Sequence, residues 1–115
     1  MNGRGTGSAP YVKTALSTTV TLVKAGKVSL AGFFQYNPSN AAAYVQFFDV
    51  SSAGDVTLGT TVPTFVIGAA TGSFSQGQFC KPIQFTNGMA IAATTTPTGS
   101  SAPSAANVVG LALGD

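Results

Sequence analysis

The segment VSLAGFFQY, residues 28–36, decides the fold class, because it shows the clearest β-strand pattern in the chain. Successive side chains of a strand point to opposite faces of the sheet. Counted in twos, Val28, Leu30, Phe34 and Tyr36 share one face, which the pattern predicts to lie against a hydrophobic core. The polar residues 37–40, NPSN, are predicted to end the strand in a turn.

Outward from this segment, short strands and turns alternate along the chain. Strands are predicted at residues 19–24, 28–36, 44–50 and 64–67, at Phe74, and at residues 79–85, 89–94 and 108–113. Asn87-Gly88 is a strong signal for a tight hairpin, and no window has helical periodicity. Many short strands with Gly- and Pro-rich turns indicate a sandwich or a barrel. We therefore expect an all-β fold, a jelly-roll-like β-sandwich of about eight short antiparallel strands.

Two features of the strands predict the core. Residues 44–50 are apolar on both faces, so this strand is expected to be central in its sheet or covered by something beyond the sheet. Aromatic side chains pack well in strands. Six phenylalanines are predicted to be core residues on that basis: Phe34, Phe47, Phe65, Phe74, Phe79 and Phe85.

Residues 1–18, MNGRGTGSAPYVKTALST, show no helical period and are predicted to form an extended N-terminal arm, followed by a β-sandwich domain at residues 19–115. Tyr11, Val12 and Lys13 are the candidate partner contacts of this arm, because Tyr11 and Val12 form its apolar patch. Such arms can add a strand to an exposed sheet edge of another protein. A frayed terminus is the alternative interpretation.

The composition favours a subunit of a large assembly. Only 7% of the residues are charged, against about 25% in ordinary soluble proteins, and weakly charged surfaces tend to associate. The five basic residues are scattered and form no stripe, so nucleic acid is not an expected partner. No apolar run approaches the roughly 20 residues that span a bilayer. No apolar signal segment is visible either, so synthesis in a host cytoplasm without secretion by the general pathway is expected.

The side chains that most enzymes use are scarce, and we expect no catalytic activity. The chain has no His and no Glu, and its carboxylates are Asp49, Asp55 and Asp115. Acid–base chemistry and metal binding need clusters of such groups, so no catalytic residue, metal or cofactor is predicted. Asp49 is expected to cap the loop that follows it. Cys80 is the single cysteine and is predicted to be buried and inert, with an intermolecular disulfide as the alternative.

Two stretches resemble small all-β virion proteins of tailed bacteriophages. In residues 41–67, an A-x-Y-x-Q-x-F-D strand leads through a glycine-containing loop to a V-P strand. In residues 85–99, an F-x-x-G-[IM]-x-I strand leads to a Ser/Thr-rich tail. The motifs that carry the resemblance are structural, so no functional residue is carried over from it.

Within that class, the length is similar to that of jelly-roll cement or decoration proteins, which are usually trimers that bridge capsomers. The resemblance implies a homotrimeric structural protein that binds the major capsid protein on the outer capsid surface and stabilises the shell. The alternative is a head-fibre or tail-associated module that recognises a host-surface glycan, with Tyr11, Tyr36 or Tyr44 stacking on sugars.

Overall fold

The computed structural model describes residues 9–114 as two packed β-sheets with no α-helix. The strands are β1 (Ala9–Leu16), β2 (Thr21–Ala25), β3 (Val28–Asn37), β4 (Ala43–Phe48), β5 (Phe65–Ala69), β6 (Ser73–Phe85), β7 (Gly88–Thr94) and β8 (Asn107–Gly114). One 3₁₀ turn, Ala53–Asp55, lies in the β4–β5 loop.

The strand order is that of a jelly roll. Sheet A has the order β1-β8-β3-β6 and sheet B has the order β2-β7-β4-β5, with every pair antiparallel. The pairs β1·β8, β2·β7, β3·β6 and β4·β5 are those of one long hairpin whose tip is the β4–β5 connection. Rolling that hairpin places alternate pairs in opposite sheets, which is the double-sheet jelly-roll arrangement. The predicted all-β, eight-stranded sandwich is confirmed.

The core lies between the two sheets. Its largest fully buried side chains include Phe47 of β4, Phe85 of β6 and Met89 of β7. Leu16 is also completely buried in this cluster. These residues come from both sheets, so their burial holds the sheets face to face.

The N-terminal boundary of the sandwich was predicted wrongly. Ala9–Leu16 was assigned to an arm outside the sandwich, whereas the structure places it in sheet A as β1, paired with β8. Leu16 contributes a buried side chain that the sequence interpretation had assigned to no core. The remainder of the predicted arm, residues 1–8, lies outside the described residues.

Strand β6 corrects a second expectation, since the strands predicted at Phe74 and at residues 79–85 are one continuous strand. Gly77 lies inside this strand and pairs with Phe33 of β3. A glycine is needed at this position because the Phe33 ring leaves no room for a side chain. Pro82 is tolerated because β6 is an edge strand of sheet A, where an N–H can be absent without breaking the ladder.

A β-bulge in β3 changes which of its side chains face the core. The pairing of β3 with both β6 and β8 shifts register between Leu30 and Gly32. Val28 and Leu30 face the core as predicted, but beyond the bulge Gln35 and Asn37 are buried while Tyr36 is exposed. An extra residue in a strand reverses the alternation that follows it.

The bulge also corrects the predicted phenylalanine core. Phe47 and Phe85 are fully buried, and Phe65 and Phe79 pack against the core while remaining partly exposed. Phe34 is half-buried, and Phe74 is 58% exposed and packs against Phe34 with ring centroids 5.8 Å apart. These last two lie on the outer face of sheet A.

The outer face of sheet B is covered, which accounts for the doubly apolar strand at residues 44–50. Strand β4 lies between β7 and β5. On its outward side, the Gln46 amide donates to Thr94 Oγ1 at 2.7 Å and to the Gly99 carbonyl at 3.0 Å. The long β7–β8 loop therefore folds back over the sheet, and the strand is both central and covered.

The two phenylalanines whose predicted environments now differ provide a test of this core. Phe47→Ala should lower the free energy of unfolding by about 3–5 kcal/mol, the range for a fully buried aromatic ring. Phe34→Ala should cost only about 1 kcal/mol, because its ring is half-buried on an outer face. Urea denaturation of both variants measures the difference, and equal costs would contradict the bulge.

Candidate interaction surface

The outer face of sheet A contains a groove of about 950 Å³, which we call the trough. One row of residues crosses all four strands here: Pro10, Ala112, Gly32 and Gln78. The floor is made of small residues, since a side chain at Gly32 would come within 3.1 Å of the Gly77 carbonyl oxygen. The trough lining contains no Lys, Arg, Asp or Glu.

An aromatic projection, which we call the ridge, lies on the same face and consists of Phe34, Tyr36 and Phe74, of which Phe34 also lines the trough. Phe74 is 58% exposed and Tyr36 is 39% exposed. Tyr36 and Phe74 are cross-strand partners, so the ridge spans the centre and one edge of the sheet. Exposed aromatic clusters of this kind mark interaction sites more often than isolated surface residues do.

The three candidate contact residues, Tyr11, Val12 and Lys13, are consecutive on β1 and therefore alternate between the inner and outer faces of sheet A. Tyr11 pairs with Leu111 and packs partly against the core, and burial raises the pKa of its phenol. Val12 is 65% exposed and forms part of the trough lining. Lys13 is half-buried. On the side away from β8, β1 has no strand partner among residues 9–114.

A buried polar cluster that sequence reasoning missed joins the two sheets at one end of the sandwich. Gln35 of sheet A donates to the Ala43 carbonyl of sheet B at 3.1 Å and to Asn107 Oδ1 at 2.9 Å. Asn37 donates to the Ala69 carbonyl of sheet B at 3.0 Å. The sequence signal for it was weak, because the strand alternation placed Gln35 on the face opposite Leu30 and Phe34, and Asn37 had been assigned to the turn at residues 37–40.

The amide of Asn37 also organises the β3–β4 turn. Its nitrogen donates to the Ala41 carbonyl at 2.8 Å, while its oxygen accepts from the Ser39 backbone N–H at 3.0 Å. The predicted turn at residues 37–40 is present, and one buried side chain links it to the opposite sheet.

Asp49 caps a distant turn instead of the loop that follows it, which corrects the prediction. Its carboxylate accepts from the backbone N–H of Asn87 at 2.7 Å and of Thr86 at 3.1 Å, in the β6–β7 connection. This connection is not the tight hairpin predicted at Asn87-Gly88, because β6 belongs to sheet A and β7 to sheet B, so the two strands do not pair. Desolvation by partial burial acts to raise the pKa of Asp49, but the hydrogen bonds from these amides outweigh it and hold the pKa below its ordinary value.

Cys80 is exposed on β6, so the prediction of a buried thiol was wrong. Cys80 lies in an irregular part of this edge strand, because the four residues 79–82 of β6 oppose the single residue Ala31 of β3 at the bulge. Among residues 9–114, no group of three His, Cys, Asp or Glu side chains is placed to hold a metal ion. The same part of the chain includes no helix with the length and hydropathy needed to cross a bilayer.

Comparisons with known proteins assign no family. No family model matches the sequence, and no curated protein does. A solved structure to which the chain is similar comes from work on Bacillus endospore appendages, described as a family of disulfide-linked pili. The identity is 13%, the alignment covers 93% of this chain and 83% of that chain, and the TM-score is 0.46. That likeness assigns neither a function nor a partner to this chain.

The polar cluster should be required for stability. Asn37→Ala would leave the Ala69 carbonyl and the Ser39 N–H without their partner, and each buried unpaired group costs about 1–3 kcal/mol. We expect the free energy of unfolding to fall by about 3 kcal/mol or more in denaturant titrations. Asn40→Ala is the matched control in the same turn and should change it by less than about 0.5 kcal/mol, because the Asn40 side chain is exposed.

The depressed pKa of Asp49 should make part of the stability depend on pH. The carboxylate stabilises the fold fully above its unfolded pKa of about 3.9, and that contribution is lost as the pH falls through the lower folded pKa. Asp49→Asn should therefore destabilise the protein by about 1 kcal/mol at pH 7, and the difference should vanish in acid. Asp55→Asn, an exposed control, should show no such difference in thermal melts at either pH.

Proposed function

We propose that this chain is a non-enzymatic structural virion protein that binds the outer surface of a phage capsid and stabilises the shell by bridging capsid subunits. In this role it acts as a homo-oligomer, predicted to be a trimer, with the major capsid protein as its partner and no cofactor. The observation that carries the proposal is the edge strand β1, which borders a groove on sheet A whose lining has no charged side chain.

The edge of β1 supports attachment to a larger lattice. An edge strand presents unpaired backbone N–H and C=O groups, to which an extended segment of another protein can add by main-chain hydrogen bonds. Val12 and Lys13 lie on this strand, and Val12 projects from it with 65% of its surface exposed. The predicted capsid contact is thereby reassigned from a free arm to the edge of a folded sheet.

The two stretches that resemble phage virion proteins are adjacent in space, which supports treating them as one unit. Residues 41–67 and 85–99 supply β4, β5 and β7, which are neighbouring strands of sheet B, together with their loops. The glutamine of the first motif, Gln46, bonds the loop that follows the second motif. The two motifs therefore describe one part of the fold, namely the strands of sheet B and the β7–β8 loop that covers them at Gln46.

A cement function follows from mass action. A protein that binds the assembled lattice and not its separate subunits stabilises the lattice by a free energy that rises with the logarithm of its free concentration divided by its dissociation constant. Contacts made by backbone and apolar groups lose little in salt, because few charges are available to be screened. A chain with five basic and three acidic residues suits such contacts.

The glycan-binding alternative depends on exposed aromatic rings beside polar groups. Of the three tyrosines named for it, Tyr36 is 39% exposed, whereas Tyr11 packs against the core and Tyr44 covers Gly68. Gln76 lies on the same face two residues along β6 from Phe74, the cross-strand partner of Tyr36, and supplies an amide there. A head-fibre or tail module with a sugar site at this place is therefore the second candidate.

Quantitative mass spectrometry of purified particles of the encoding phage tests the proposal. Hundreds of copies per particle, released together with a loss of shell stability, are expected for a cement protein. A few to a few dozen copies would favour the fibre or tail alternative, and none would contradict both.

Retention on expanded capsids tests the contact on β1. Val12→Ser should reduce retention without unfolding the protein, because Val12 is exposed. The control Val62→Ser changes an apolar residue that is 81% exposed in the β4–β5 loop and should be retained like the wild type. Retention of the wild type should be nearly equal at low and high salt, and its release by salt would show that the basic residues make the contact.

A further inference from the structure

The outer face of sheet A carries both a projection and a depression, and the two match. The ridge residue Tyr36 and the trough residue Gly32 lie four residues apart on β3, a separation of about 13 Å. On β6, Phe74 and Gln78 have the same spacing. We propose that the trough receives the ridge of a second copy of this chain, with like strands of the two copies aligned.

The relief of the face favours another copy as the occupant. When two such faces meet about an axis that runs across the strands, Tyr36 of one copy lies over Gly32 of the other, where no side chain stands. Phe74 lies beside Gln78 in the same arrangement. Because both copies use the same surface, the contact is isologous and joins two copies about a two-fold axis, so the predicted trimer would require a different contact.

The charge of the face also favours self-association. The trough lining has no charged side chain, and the ridge is made of Phe34, Tyr36 and Phe74. Two identical charged faces would repel each other, and a different partner is commonly selected by a complementary charge. A neutral face neither repels its own copy nor selects a partner of opposite charge, so its shape decides what it binds.

The area is sufficient for a specific contact. Four strands spaced about 4.8 Å apart and rising about 3.4 Å per residue give a face of roughly 500 Å² for an eight-residue strand such as β8. Two copies would bury about 1,000 Å², which is the minimum for a biological interface and below the roughly 1,200–2,000 Å² of stable complexes, so a weak association is expected. The aromatic residues of the ridge belong to the types that dominate interface energetics.

This inference deepens the proposed function, because a protein that bridges capsid subunits acts through linked copies, but its test needs no capsid. Multi-angle light scattering and sedimentation of the full chain should give a mass above the 11.4 kDa of one copy. Phe74→Arg on the ridge and Ala112→Arg in the trough should each weaken association about 30-fold or more. The control Val62→Arg, at a more exposed apolar residue outside the face, should have no effect.

Circular dichroism and thermal melting confirm that the variants are folded, which is expected because Phe74 and Ala112 point away from the core. A wild type that stays monomeric at its highest soluble concentration would overturn the inference. Association that survives both arginine variants would overturn it as well, since the copies would then meet elsewhere.

A disulfide trap tests the register directly in a Cys80→Ser background. A mixture of Phe74→Cys and Gln78→Cys chains should form a covalent heterodimer on mild oxidation. Positions 74 and 78 are about 13 Å apart along β6, beyond the roughly 7 Å Cα separation that a disulfide tolerates, so only the proposed offset between the two copies brings them together. A mixture of Val62→Cys and Gln78→Cys chains is the control, and equal yields from the two mixtures would contradict the register.

The two proposals can fail separately. If the chain self-associates through this face but is missing from virions, the inference is supported and the proposed capsid function is contradicted. If the chain is abundant in virions but its free form is monomeric, the capsid function is supported and the inference is contradicted.

Discussion

The β-bulge between Leu30 and Gly32 is the constraint on which the rest of the structure depends. It sits in β3, which pairs with β6 and β8 at once, and both pairings shift at the same place. Because a strand alternates its faces with a period of two, one extra residue exchanges the inward and outward sets beyond it. Gln35 and Asn37 are thereby turned into the interior, and Phe34 and Tyr36 are turned outward.

The inward set gives the sandwich a specific polar connection at one end. Apolar side chains hold the two sheets together without fixing their alignment, whereas hydrogen bonds from Gln35 and Asn37 reach particular carbonyls, Ala43 and Ala69, on the opposite sheet. Leaving such buried groups unpaired is costly, so any sliding of one sheet over the other is opposed. The same bonds place the β3–β4 turn and the start of β8.

The outward set gives sheet A the features of an interaction surface. An aromatic ridge beside a floor of small residues exposes apolar area that water solvates poorly. On sheet B, by contrast, the β7–β8 loop folds over the outer face around Gln46, and the central strand β4 is buried there. An open, uncharged face on a chain with so few charges is suited to assembly with other protein surfaces.

The sequence by itself determined the fold class, most strand positions and the scarcity of catalytic side chains, because these depend on local periodicity and composition. It also marked a turn at Asn87-Gly88, but only the tertiary structure decided that this turn leads from sheet A to sheet B instead of closing a hairpin. Ala31-Gly32 followed by Phe33-Phe34 was the one local hint of a bulge, since small residues and glycine within a strand accompany such irregularities. Only the tertiary structure decided that Ala9–Leu16 joins sheet A, that Gly77 lies inside one long strand, and that Phe74 and Cys80 are exposed. Each of these depends on a partner strand distant in sequence, and the register with that partner is set by packing across the whole sandwich.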